Sequence, residues 1–206
     1  MDFPEPAEHE PALILPLTCN RRRIIGLLGL AGAAYVSGSG SLSAATANRI
    51  DLTGLSPEWV GKQGQTLIDY TRYIYSLKLR NITTEQVVAS HAKSHGSVWN
   101  TLPPKAWWNR IAYTLRVVDR VALQLKMPVK EILSAYRSPS YNSGCSGARA
   151  GSWHQANVAI DVVFPARPST VTSMTRNLRD RGLFKGGVGG YSSFTHIDTR
   201  GHNINW

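Results

Sequence analysis

An aspartate lies at the centre of a segment that otherwise has the composition of a buried strand. The segment VAIDVVF, residues 158–164, carries Asp161 among six apolar residues. An ionised carboxylate that is buried without a partner is costly, so Asp161 needs a cation or hydrogen-bond donors close to it. His154 precedes it by seven residues. On one straight strand their side chains would point to opposite faces, so they converge only if the chain turns between them, as residues 155–157 (QAN) allow.

A second apolar segment, SFTHID at residues 193–198, contains His196 and Asp198. These two residues are two positions apart, so on a strand they share one face. His154, His196 and Asp161 together offer two imidazoles and one carboxylate, a ligand set that Zn²⁺ accepts with a fourth position left open. The spacing equally allows a second interpretation, in which Asp161 pairs with an arginine and both histidines are ordinary core residues.

Two segments have the apolar periodicity of amphipathic helices. Ser56 followed by Pro57 is a typical helix start, and the segment behind it has a broken helical stripe of apolar residues. A more regular segment lies between Pro104 and Pro128. Its apolar residues recur at intervals of three and four positions, which predicts one long amphipathic helix. They are Trp108, Ile111, Leu115, Val118, Ala122 and Leu125.

A further helix is predicted between these two. It starts at Thr83 or Thr84 and stops at Gly96. His91 and His95 lie four positions apart on it, a spacing that can hold zinc. The residues between them lack the glutamate of a helical zinc-protease motif, so we expect exposed or capping histidines here.

Beyond Pro128 the pattern changes to short apolar segments. Residues 137–152 (RSPSYNSGCSGARAGS) predict a loop, and residues 168–182 predict a short helix that ends at Gly182. Five segments predict strands: EILSAY, VAIDVVF, GGVGGY, SFTHID and INW. This order indicates an α+β fold, in which N-terminal helices are followed by a small antiparallel sheet that carries the candidate zinc site.

The first 47 residues have the order of an export signal. Three arginines at 21–23 precede a 13-residue apolar run, residues 24–36, and residues 45–47 (ATA) form a small-residue cleavage site. The paired arginines resemble a twin-arginine signal. Because a bilayer span needs about 20 residues, we expect an exported, periplasmic or cell-wall-associated protein with no stable span in its mature form. A retained membrane anchor is the alternative.

The net charge of the chain restricts the class of partner. The formal net charge of +10 predicts attraction to polyanions, among them acidic cell-wall polymers. The basic residues are scattered and form no nucleic-acid motif, so we expect no nucleic-acid partner.

Cys145 is the one cysteine beyond residue 47, so the mature chain cannot form an intrachain disulfide. The oligomeric state is not indicated by the sequence.

Three motifs in order resemble the zinc D-alanyl-D-alanine peptidases and murein endopeptidases, the group that shares its metal site with the hedgehog signalling domain. They are SAYRSPSYN, then S-x-H-x6-D, then GGVGGYSSFTHIDTRGHNINW. The resemblance covers residues 102–206 and implies that His154, Asp161 and His196 bind Zn²⁺. It also divides the chain into the export signal, a helical segment at residues 48–101, and a zinc peptidase domain at residues 102–206.

The resemblance implies roles for three further residues. Arg137 corresponds to the arginine that holds a substrate carboxylate, and a guanidinium suits that task because it binds carboxylates with two hydrogen bonds. The alternative is that Arg137 braces the loop behind its strand. Ser152 corresponds to a serine two residues before the first metal ligand, and Tyr191 is expected to line the substrate groove with it.

The implied activity is that of an exported zinc metallopeptidase, either a D-Ala carboxypeptidase or a murein endopeptidase. Many relatives have an acid or a histidine two or three residues before the last ligand as general base. Here these positions hold Phe194 and Ser193, so Asp198 is the nearest candidate for the catalytic base. The expected partners are therefore peptidoglycan peptides. The alternative is a zinc-containing peptidoglycan-binding module without catalytic activity.

Overall fold

The computed structural model describes residues 51–206 of the chain. The predicted export signal, residues 1–47, lies outside the described residues. Within this part the α-helices are α1 (Pro57–Gln63), α2 (Gln65–Ser76), α3 (Thr84–Ala89), α4 (Trp108–Leu125), α5 (Pro139–Gly144) and α6 (Pro168–Asp180). The strands are β1 (Ser94–His95), β2 (Val98–Trp99), β3 (Glu131–Ser134), β4 (Ala159–Val163), β5 (Gly187–Gly190), β6 (Thr195–Asp198) and β7 (Ile204–Asn205). None of the described helices is both long and apolar enough to cross a membrane.

The predicted helix starts are confirmed. The Ser56 hydroxyl accepts a hydrogen bond from the backbone of Trp59, and Pro57 occupies the first turn of α1. Thr83 and Gln86 form a reciprocal capping box at the start of α3. The apolar stripe predicted for one helix is divided between α1 and α2, because Gly64 has a φ of 50° and interrupts the helix there.

The predicted end of the third helix at Gly96 is wrong. Helix α3 ends at Ala89, and the chain then forms a two-stranded antiparallel hairpin from β1 and β2. Gly96 has a φ of 56° and lies in the tight turn of this hairpin, so its conformational freedom serves the turn and not a helix end. His95 is exposed, as expected, whereas His91 is completely buried.

The expected α+β class is confirmed, with one difference in the sheet. In the described residues a five-stranded sheet has the order β3-β4-β6-β5-β7. Its first three neighbouring pairs are antiparallel, as predicted, but β7 pairs in parallel with β5 at the edge. Helix α6 connects β4 to β5, so the chain crosses over before it returns to the centre of the sheet.

The two faces of the sheet have different residues because side chains alternate along a strand. Ile160, Val162 and Ile197 belong to the hydrophobic core, and helices α4 and α6 pack on the sheet. Asp161 and His196 alternate with these residues and therefore lie on the other face. The centre of that face carries the candidate site.

Helices from both ends of the described chain contribute to one hydrophobic cluster. Trp59, Leu67 and Tyr70 from α1 and α2 belong to the same cluster as Ile160 and Ile197 from the sheet. The long helix α4 contributes to the same cluster, and its predicted apolar face is buried except that Leu125 is only partly buried. The helical segment and the sheet therefore share this core. The predicted boundary at residue 102 between a helical segment and a peptidase domain stays a prediction.

Residues 137–152, predicted to be a loop, contain a short helix. Helix α5 begins after Ser138, whose hydroxyl accepts a hydrogen bond from the backbone of Tyr141. Pro139 occupies the first helical position, where its missing N–H costs nothing. The Ser-Pro pair is therefore a helix-start signal that the sequence interpretation missed.

Candidate metal centre

Three side chains from two strands and one turn converge at the centre of the sheet face that lies opposite the hydrophobic core. Asp161 on β4 is paired in register with His196 on the neighbouring strand β6. His154 lies in the turn before β4, and donor atoms of His154, Asp161 and His196 all lie within 4.8 Å of one another. All three residues are buried. The structure thus brings together the three residues that the sequence predicted as metal ligands.

The turn between His154 and Asp161 occurs at the residues where the sequence allowed it. Asn157 has a φ of 60°, and its backbone N–H donates to the carbonyl of His154 at 3.2 Å. Val158 donates to the carbonyl of Trp153 at 3.3 Å, which closes the turn before β4 begins. Asparagine tolerates the left-handed conformation better than most residues, so QAN can reverse the chain there.

A backbone carbonyl fixes the ring of His154. Its Nδ1 lies 2.7 Å from the carbonyl oxygen of Ala135, which can only accept, so Nδ1 carries the proton and donates. Its Nε2 lies 3.2 Å from Oδ2 of Asp161. With Nδ1 protonated, Nε2 keeps its lone pair and is the nitrogen available to a metal ion.

A carboxylate fixes the ring of His196 through Nε2, whereas His154 is held through Nδ1. Its Nε2 lies 3.0 Å from Oδ2 of Asp198, and its Nδ1 lies 2.8 Å from Oδ1 of Asp161. Because the Asp198 carboxylate accepts from Nε2, Nδ1 is the nitrogen that faces the other two ligands. The two histidines therefore offer different ring nitrogens, each with an outer partner that holds the ring in place.

The electrostatics favour a cation at this position. Burial raises the pKa of the Asp161 carboxyl, but His154 and His196 outweigh it and hold that pKa well below its usual range. Burial lowers the pKa of His154, so this ring is neutral at pH 7. Burial also opposes the charged form of His196, but its bonds to Asp161 and Asp198 raise its pKa overall. A buried carboxylate beside a neutral imidazole fits a divalent metal ion.

Arg137 lies directly beside this cluster. Its Nη2 donates to Oδ2 of Asp161 at 2.7 Å, and its Nε donates to the hydroxyl of Ser134 at 2.7 Å. The guanidinium remains partly accessible, with 16% of the side chain exposed. Asp161 therefore has both neighbours that the sequence allowed, an arginine and two histidines.

Ser152 and Tyr191 lie at the margins of the site. The Ser152 hydroxyl accepts a hydrogen bond from the backbone of His154 at 3.4 Å, which ties it to the turn. Tyr191 is exposed, stacks on Phe194 at 4.3 Å and accepts a hydrogen bond from Nε1 of Trp206 at 3.0 Å. The substrate-binding roles predicted for Ser152 and Tyr191 stay predictions.

Asp198 is completely buried and makes contacts in two directions. Oδ2 faces His196, while Arg200 donates to both carboxylate oxygens. Burial would raise the pKa of Asp198, but Arg200 and His196 outweigh it and hold that pKa well below its usual range. A carboxylate with so low a pKa is a weak proton acceptor at pH 7. The role of catalytic base stays a prediction, and these contacts are those of a residue that orients His196.

Sequence reasoning missed the aromatic residue next to His196. The ring of Trp206 lies 5.1 Å from the ring of His196, measured between centroids. The signal that could have revealed it is the alternation of glycines in GGVGG, since Gly187 and Gly189 leave one face of β5 without side chains. A strand face without side chains leaves room for a large ring.

The comparison with protein families agrees with this geometry. The cluster of two histidines and one aspartate is a candidate metal site on a small α+β domain. The family described as Peptidase M15 matches residues 80–198, more than half of the chain. The protein therefore belongs to the Peptidase M15 family, whose members are zinc peptidases. No curated protein and no solved structure matches the chain.

Proposed function

We propose that this protein is an exported zinc metallopeptidase that hydrolyses peptide bonds in the stem peptides or cross-links of peptidoglycan. The convergence of His154, Asp161 and His196 on the sheet carries the proposal. Membership of the Peptidase M15 family supports the peptidase activity. The order of charged, apolar and small residues within positions 21–47 supports export.

The donor atoms suit zinc in kind and in number. Nε2 of His154, Nδ1 of His196 and a carboxylate oxygen of Asp161 form a two-nitrogen, one-oxygen set that leaves a fourth position for water or substrate. When bound there, zinc supplies Lewis acidity, which activates water and polarises a peptide carbonyl. The chain itself supplies orientation, because the outer nitrogens of both rings are already held by Ala135 and Asp198.

The position of Arg137 supports the proposal that the substrate carries a carboxylate. Its guanidinium is adjacent to Asp161, and part of it is accessible to solvent. A guanidinium binds a carboxylate through two parallel hydrogen bonds, and peptidoglycan stem peptides carry several carboxylates. We propose that Arg137 holds one of them near the scissile bond, with Ser152 and Tyr191 along the same groove.

One observation favours a second candidate, a zinc-containing peptidoglycan-binding module without turnover. The residues two and three positions before His196 are Phe194 and Ser193, which cannot act as a base at neutral pH. Asp198, the nearest acid, is occupied by His196 and Arg200. A protein with this site could bind wall peptides and leave them intact.

Digestion of purified peptidoglycan tests the proposal. The zinc-loaded protein should release terminal D-Ala or convert cross-linked stem peptides into monomers, identified by mass spectrometry of the products. A chelator should abolish the activity and added zinc should restore it. The Asp161→Asn variant should be inactive and lack zinc, because a neutral amide removes the buried charge that the ion needs.

Asp180→Asn is the matched control for Asp161→Asn. Its side chain is 63% exposed and pairs with Arg179 and not with His154, Asp161 or His196, so zinc content and activity should match the wild type. Saturable binding to peptidoglycan without any new product would contradict the peptidase and support the binding module. Full zinc-dependent activity in Asp161→Asn would contradict the proposed site.

A further inference from the structure

The buried charge of Asp198 is neutralised chiefly by one residue. Arg200 donates through Nε to Oδ1 at 2.8 Å and through Nη2 to Oδ2, and its backbone N–H donates to Oδ1 at 3.2 Å. The backbone of Gly187 adds one further hydrogen bond at 3.0 Å. A two-point contact of this kind fixes the orientation of the carboxylate, which a single hydrogen bond would not do. The carboxylate plane is therefore set by the position of Arg200.

Two tryptophans that lie far apart in the sequence both contact Arg200. Its guanidinium carbon lies 5.0 Å from the ring centroid of Trp153 and 5.1 Å from that of Trp206. Only 12% of the arginine side chain is exposed. Guanidinium groups stack on indole rings more favourably than ammonium groups do, so both contacts favour arginine at this position.

Trp206 is itself held in place although it is exposed. Its Nε1 donates to the hydroxyl of Tyr191 at 3.0 Å, and its backbone oxygen accepts from Gly190 at 2.9 Å. A Cβ on Gly189 would lie 2.5 Å from the indole, and one on Gly187 would lie 2.9 Å from it. Both distances are too short for a real contact, so the indole needs these two glycines.

These contacts form a continuous path to the metal centre. Trp153 and Trp206 hold Arg200, Arg200 holds Asp198, and Asp198 faces Nε2 of His196. We propose that Arg200 is a positioning residue of the metal centre, which acts through Asp198 to keep Nδ1 of His196 directed at the zinc ion. The inference rests on the proposed zinc site but is independent of the substrate.

Zinc affinity and cobalt absorption test this role without reference to catalysis. In Arg200→Met the stem remains but the charge and both hydrogen bonds are lost. Its zinc dissociation constant, measured by competition with a chromogenic chelator, should rise about 10–100-fold. The visible absorption bands of the cobalt-substituted protein should shift, because the ring of His196 can turn. Arg200→Lys keeps the charge and should recover part of the affinity, since lysine cannot reproduce the two-point contact.

Arg179→Met is the matched control for a general loss of stability. Arg179 is a buried arginine, whereas Arg200 is half-buried, and it donates to the carbonyls of Gly186 and Ile204. The structure gives it no hydrogen bond to Asp198. Its replacement should lower the melting temperature and leave zinc affinity and the cobalt spectrum unchanged below the transition.

The outcomes separate this inference from the proposed function. If the wild type binds zinc and both Arg200 variants match its affinity and cobalt spectrum, the positioning role is overturned. Equal losses in Arg179→Met and Arg200→Lys would also overturn it, because the effect would then be one of stability. If Arg200→Met does not fold, the lysine variant alone decides. Absence of zinc binding in the wild type would overturn the zinc site itself.

Discussion

At the scale of single residues, the two histidines of the metal centre differ in what holds them. His154 donates to the neutral carbonyl of Ala135, whereas His196 faces the buried carboxylate of Asp198. A carboxylate partner makes an imidazole more basic and so a stronger metal ligand. The two rings are therefore expected to contribute unequally to zinc affinity.

Asp198→Asn distinguishes an orienting role from a catalytic one. The amide keeps the shape of the side chain but removes its charge, so we expect zinc affinity to fall about 10–100-fold, in line with the loss of an outer partner. Chelator competition measures this directly. Unchanged affinity with turnover reduced about 100-fold or more would instead assign Asp198 as the base.

Arg137→Ala should impair the reaction and not the metal site. A hydrogen bond to a charged group contributes about 1.5–3 kcal/mol, so kcat/KM for a stem peptide should fall about 10–100-fold. Zinc should remain bound, because Arg137 is itself a cation beside Asp161 and its removal does not weaken the attraction of a second cation. Unaltered kcat/KM, or a chain that does not fold, would instead assign Arg137 to bracing its loop.

At the scale of secondary structure, strand β5 shows why a strand can contain several glycines. Gly189 is paired in register with His196, and its missing side chain is what allows Trp206 to lie there. Val188, on the opposite face of the same strand, is completely buried in the core. The strand therefore combines a core face with a face that accommodates an indole.

Gly189→Ala should displace Trp206 and destabilise the protein. The new methyl group would require the indole to move, and overpacking of this kind costs about 1–3 kcal/mol in the free energy of unfolding. Chemical denaturation measures the cost, and tryptophan fluorescence reports the displacement. Gly61→Ala is the control, because this position in α1 has open space around it and alanine favours a helix by about 0.5–1 kcal/mol. Equal stability of Gly189→Ala and wild type would contradict the packing argument.

At the scale of the whole molecule, the pH dependence of stability depends on a buried histidine that links helix α2 to the segment after α3. His91 is completely buried, and its Nε2 lies 3.0 Å from the hydroxyl of Tyr70 on α2. Burial lowers the pKa of His91 to about 4, from an ordinary value of 6.5. The folded protein therefore keeps this ring neutral under conditions in which the unfolded chain would protonate it.

This shift predicts a loss of stability in acid. As the pH falls from about 6.5 to about 4, the unfolded state binds a proton that the folded state does not, so the free energy of unfolding decreases by about 3 kcal/mol. Above pH 6.5 the residue adds no pH dependence. Denaturation of wild type and His91→Gln across this range measures it, and the variant should have the shallower slope. Parallel slopes would show that His91 does not titrate in this way.

The sequence predicted those features that neighbouring residues decide. Helix starts at Ser56 and Thr83 follow from side chains that cap the first turn, and the buried face of α4 follows from its apolar spacing. The order of helices and strands and the turn at residues 155–157 were also predictable, because each depends on residues that are close together in the sequence. The hairpin at Gly96 and helix α5 were mispredicted because glycine and serine-proline pairs occur in several local structures.

The tertiary structure alone decided which distant residues meet. Asp161 lies opposite His196 because β4 and β6 pair in one register. Arg200 contacts both Trp153 and Trp206 because the fold brings the turn before β4 close to the residue that follows β7. Such contacts depend on how the whole core packs, and no spacing along the chain encodes them. The sequence by itself determined the ligand types and their local faces. Only the fold determined their distances, the outer partners of each ring and the burial of the Asp161 carboxylate, whose negative charge favours a cation there.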